Sequence, residues 1–137
     1  MVPDLPQEEN KMSLHAENLP QLSAFLDQRN FVVREERQDR SFGNGFVVLE
    51  GDGFRIRIIK DRDEINIEVG QIGHQPWYAI ENVLEFLTGS AVNKADVALQ
   101  AHFVEVSRLM KSDLQERGYL SFEKQKTELA IQRLFSR

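Results

Sequence analysis

The sequence predicts an α+β fold: an N-terminal helix, a four-stranded antiparallel meander, then three C-terminal helices packed on one face of the sheet. Three observations carry that reading. Between Phe46 and Val69 apolar residues alternate with polar ones, the period of two that marks a strand with one buried face. Glycine and acidic turn residues divide this stretch at short intervals, too short for parallel crossovers. On both sides of it the apolar residues fall three and four apart, the period of amphipathic helices. A chain of 137 residues, 41% hydrophobic and 28% charged, is the size and composition of one globular domain with its own core.

Residues 1–17 are polar, lack periodicity and precede the domain, which is expected over 18–137. They read as an arm. Asn18 is placed to cap a first helix with Pro20 in its first turn, and Leu19, Leu22, Phe25 and Leu26 share one face before Asn30 ends the pattern. "FVVRE" starts the first strand at Phe31, and "RQDRSFGNG" reads as a polar turn region before the second strand, "GFVVLE". Asp52-Gly53 then stands between two β-rich runs, a strong hairpin signal because such turns need positive φ. In "FRIRIIK", Phe54, Ile56 and Ile58 alternate with Arg55 and Arg57; after "DRDE", Ile65, Ile67 and Val69 alternate with Asn66 and Glu68.

Through a Gly-Pro loop the chain enters a second helix, with Tyr78, Ile80, Val83, Leu84 and Leu87 apolar and Gly89 at its end. A third helix is expected to run unbroken to Gly118, since Leu99, Phe103, Val106, Met110 and Leu114 keep the three-four spacing. About 25 residues would extend about 37 Å. The last helix is expected from a Ser121 cap, with Ala130, Ile131, Leu134 and Phe135 as its apolar patch.

Little in the sequence points to catalysis. There is no cysteine, which removes disulfides, thiolate metal sites and cysteine nucleophiles together. His15, His74 and His102 are scattered, without the i, i+4 spacing of a helical metal site. No serine sits in G-x-S-x-G, and Ser121-x-x-Lys124 is explained by helix capping. The "GNG" and "GDG" glycines lie between strands rather than before a helix, so they turn the chain instead of cradling phosphate. Asp52, Asp61, Asp63 and Glu64 do not follow calcium-loop spacing. We therefore expect no cofactor, no metal and no catalytic residue. A net charge of −5 disfavours nucleic-acid binding and would steer a basic partner inward. Neither a membrane-spanning run nor a secretory signal is seen, so a cytoplasmic address is expected.

The polar side of the sheet is the most informative surface. Arg55 and Arg57 should lie beside Asn66 and Glu68, as a solvated face or as a docking surface with arginines free for carboxylates. Trp77, beside Tyr78 at the helix entry, would anchor a partner if exposed. Arg55, Arg57, Asn66, Glu68 and Trp77 are thus the candidate protein-binding residues.

The segment "FVVLEGDGFRIRIIKDRDEINIEVG", followed by "WYAIENVLEFLTG", resembles a pattern found in small bacterial proteins, some of them similar to the immunity proteins of polymorphic toxin systems. The likeness spans about residues 42–89 and rests on the strand pattern and the Trp-containing helix start. It implies a compact bacterial protein that works by binding another protein, a toxin or secreted effector, rather than an enzyme. Two alternatives stand beside it: a dimeric secretion-type chaperone, paired through the long C-terminal helices, and a hydrolase using His74 or His102 with a carboxylate. The chain is expected as a monomer or such a homodimer.

Overall fold

The computed structural model describes residues 19–39 and 43–136; the expected arm, His15 and the Asn18 cap fall outside them. Among the described residues are five helices and one antiparallel sheet of five strands. The first helix, α1 (Leu19–Gln28), buries Leu22 and Leu26. It ends where Asn30 takes φ 65°, a left-handed conformation that asparagine tolerates, and Phe31 N–H returns to Leu26 O at 3.1 Å.

Strands β1 (Val32–Asp39), β2 (Asn44–Gly51), β3 (Phe54–Asp61) and β4 (Glu64–Gln71) follow in a meander. β1 runs further than its first apolar residues suggested, pairing Arg37 with Phe46 and Asp39 with Asn44. A ladder is made by backbone groups, so a polar stretch extends it as well as an apolar one. The Asp52-Gly53 turn has φ values of 52° and 83°, the double positive φ of the tight hairpin. This turn also seats a helix: Ser107 Oγ donates to Asp52 O at 3.3 Å, and Lys111 Nζ lies 4.0 Å from Asp52 Oδ1.

The sheet has a fifth strand the periodicity did not predict. β5 (Tyr78–Ala79) pairs Glu68 with Ala79 and Val69 with Tyr78 before the chain enters α2 (Ile80–Thr88). Pro76 keeps its approach extended, and two residues are too few to show alternation.

The expected third helix is two. Helix α3 (Ala95–Ala101) and helix α4 (Phe103–Met110) meet at His102, whose φ −113° and ψ 25° leave the helical region. Hydrogen bonds span the joint, from His102 N to Ala98 O at 2.9 Å and from Val106 N to His102 O at 3.0 Å. The apolar spacing therefore survives a break in the axis, which is why it misled. Beyond Met110 the chain turns rather than continuing. Gln71 Nε2 donates to Met110 O and Ser112 O, both at 2.9 Å, satisfying carbonyls at the helix end,. Four helices thus follow the sheet, where three were expected. The last, α5 (Tyr119–Phe135), starts two residues before Ser121, with Gly118 at φ 83° as its entry.

One core unites these elements. Phe54, Ile56, Ile65, Ile67 and Val69 from the sheet are buried with Leu22, Leu26, Ile80, Val83, Leu84, Leu99, Phe103, Val106, Leu109 and Met110. Each such side chain stabilises the fold by about 1.5–3 kcal/mol on burial. Phe31 lies edge-on to Phe54 and Phe103, with centroids 5.5 and 5.9 Å apart. Tyr119 does the same between Tyr78 and Phe86, at 5.4 and 5.3 Å. These edge-to-face pairs fix the start of α5. Lys126 Nζ adds a 2.9 Å ion pair to Glu85 Oε1 on α2.

Candidate protein-binding surface

The strand register decides which residues share the other side of the sheet. Phe54, Ile56 and Val69 point into the core, so their neighbours point away from it. Arg57 stands between Val48 on β2 and Glu68 on β4; Arg55 stands between Glu50 and Gly70; Ile59 stands between Phe46 and Asn66. Beyond Glu68, Ala79 of β5 completes the row.

Within this face the charges are already engaged. Arg57 donates from Nε and Nη2 to Glu68 Oε1, at 2.9 and 2.5 Å. Arg55 Nη2 donates to two backbone carbonyls of the loop after β4, His74 O and, at 3.3 Å, Pro76 O. Both guanidinium groups then lie on one indole: Arg55 Cζ is 4.0 Å and Arg57 Cζ 4.5 Å from the Trp77 ring centroid. Cation–π attraction to tryptophan contributes about 0.5–1 kcal/mol at exposed sites. At the far edge Arg34, on a bulge of β1, reaches Glu50 Oε1 at 3.2 Å.

Gly70 makes this stacking possible. A Cβ there would stand 2.9 Å from Arg55 Nε and 3.0 Å from Pro76 O, so any side chain would displace the guanidinium or the loop. Burial, then the positive charge of Arg57, lowers the Arg55 pKa from its ordinary value,. Glu81, at the start of α2, is pushed up chiefly by burial, with the Glu68 charge adding to it.

Four of the five expected residues, Arg55, Arg57, Glu68 and Trp77, are thus brought into one cluster. Asn66 shares the face across from Ile59, and among the described residues no hydrogen bond joins it to the cluster. The arginines serve first to hold the loop and the indole, rather than standing free. The sequence reading also missed the apolar part of this face. Phe46 and Ile59 are partly exposed and Val48 is buried there, and the signal was available in the Ile58-Ile59 doublet, which breaks the alternation.

The histidines do not join this surface in any reactive arrangement. His74 lends only its carbonyl, and His102 occupies the α3–α4 joint. Among the described residues neither imidazole bonds to a carboxylate, and no cluster of His, Asp and Glu fits a metal ion. An open groove of about 380 Å³ runs along the β1–β2 hairpin, lined by Glu36, Gln38, Phe46, Val47, Ile58 and Lys60 among others. No described helix is long and apolar enough to cross a membrane. No protein-family model matches this sequence, and no curated protein or solved structure matches it.

Proposed function

We propose that this protein acts in the cytoplasm by binding another protein through the outer face of its sheet, as an immunity-type inhibitor that masks a toxin. The observation carrying the proposal is the indole of Trp77, partly exposed and held on two arginines of the face that also carries Phe46 and Ile59. Binding hot spots favour such anchors, apolar at the centre with a charged rim, because ordering them costs little when they are already fixed. The net charge of −5 suits a partner whose active site is basic. The test is affinity capture from the native host with the wild-type protein and an Ile59→Asp variant as baits. The proposal expects a protein retained by the first and lost by the second, whose expression alone arrests growth and whose toxicity the wild type relieves. A captured protein with no effect on growth would sink the immunity reading. The same binding to both baits would sink the face.

A dimeric secretion-type chaperone is the second reading. It is favoured by the exposed apolar residues of α5, Ile131, Leu134 and Phe135, not by the helix pair α3–α4, whose apolar side is spent in the core.

A further inference from the structure

Helix α5 is anchored at only one end. Tyr119 is fully buried, Phe122 packs against the core and Lys126 reaches Glu85; every residue from Thr127 to Ser136 is exposed. Yet this free half carries Ile131, Leu134 and Phe135, which are 51, 66 and 80% exposed. At 3.6 residues per turn, Leu120, Thr127, Ile131 and Leu134 form one stripe, with Phe135 at its edge. It lies about a third of a turn from the Tyr119–Phe122–Lys126 side that meets the domain. Lys124 and Glu128 border it on one flank, a turn apart. Neither makes an ion pair among the described residues.

We infer that this stripe binds the same stripe of a second copy, with the two α5 helices antiparallel. Charge selects the arrangement. In a two-fold interface, if residue i meets residue j, then j meets i. Setting Lys124 against Glu128 of the other copy therefore forms two reciprocal ion pairs at once and centres the crossing on Lys126. Parallel helices would instead place this flank of the two copies on opposite sides of the seam, so Lys124 and Glu128 could not pair across it. The antiparallel register also resolves the apolar residues. Leu120 falls beside Ile131 of the second copy, twice by symmetry. Leu134 falls over Gly118, where the space a Cβ would take has no neighbouring atom within 4 Å. Phe135 reaches Arg117, which is exposed. The overlap is about four turns of helix, short of a large obligate interface, so the dimer belongs to the reversible, micromolar class.

Sedimentation velocity across the micromolar range tests this, with Trp77 emission and thermal melting confirming that each variant folds. The wild type should show a concentration-dependent dimer. Leu134→Asp and Ile131→Asp should each be monomeric, and they leave the fold intact because both side chains are exposed and lie outside the core cluster. Lys124→Glu alone and Glu128→Lys alone should each weaken self-association about tenfold, by replacing two attractions with two repulsions. The double variant K124E/E128K should restore it. A wild type that stays monomeric overturns the inference, as does a dimer indifferent to Leu134→Asp. Single charge reversals without effect, or a double variant no better than the singles, overturn the antiparallel register. Partner capture by the Ile59→Asp bait reads the sheet face and is independent of each of these outcomes.

Discussion

Replacing Gly70 by alanine separates two accounts of the outer face by sign. In a strand interior glycine is less favourable than alanine by about 0.5–1 kcal/mol, and the backbone of Gly70 is not among those with positive φ. On an open solvated face Gly70→Ala should therefore stabilise the protein. Here the new methyl would sit 2.9 Å from Arg55 Nε and 3.0 Å from the carbonyl oxygen of Pro76. The guanidinium must leave, and with it go its bonds to His74 O and Pro76 O and its contact with the indole. A bond from a charged donor contributes about 1.5–3 kcal/mol when shielded, and this one is partly solvated, so we take the lower end. Adding roughly 0.5–1 kcal/mol for the lost cation–π contact and subtracting the alanine gain leaves a net loss of about 1–2 kcal/mol. Urea unfolding followed by tryptophan emission reads this directly, since Trp77 is the only tryptophan. The expected result is a lower midpoint and a red-shifted native emission. A more stable variant with unchanged emission would refute the stacked cluster.

Further outcomes follow from other contacts. Gly51→Ala would bring a methyl to 2.7 Å from the Phe31 ring; overpacking there should cost about 1–3 kcal/mol in urea, with no change in Trp77 emission of the folded state. Gln71→Ala removes the amide that serves Met110 O and Ser112 O. It should cost about 1–2 kcal/mol and speed hydrogen exchange at the end of α4 before the sheet. Burial raises the Glu81 pKa, so the folded state holds a proton that the unfolded chain has already released. Its contribution therefore opposes folding increasingly as pH rises through the raised value, and vanishes below the ordinary carboxylate range. Glu81→Gln should gain stability over the wild type at neutral pH but not in acid, as a urea midpoint series against pH would show.

The sheet was legible because its core side obeys strict alternation, and Asp52-Gly53 marks the central hairpin with residues that tolerate positive φ. The helices were legible as faces but not as lengths. His102 interrupts the axis while the backbone bonds on both sides of it persist, so the spacing of Leu99, Phe103 and Val106 carries no trace of the break. β5 was hidden for the opposite reason: its pairing is real but two residues long. At the candidate surface, alternation put Arg55, Arg57, Asn66 and Glu68 on one face, and its place beside Tyr78 at the helix entry singled out Trp77. What it could not show was that the arginines are occupied. That depends on the path of residues 72–77 folding back over Gly70, a tertiary event with no local periodicity. Nor could amphipathicity alone distinguish the apolar residues of α5 that reach the core from those beyond Lys126 that do not.

The most direct measurement is calorimetric titration of the captured, purified partner against the wild type, Ile59→Lys and Phe46→Gln, all shown to unfold at similar urea concentrations. If the outer face grips the partner, each substitution should weaken binding about thirtyfold, the loss expected for a residue near the centre of an interface. Equal affinity for all three proteins would place the binding elsewhere and contradict the account.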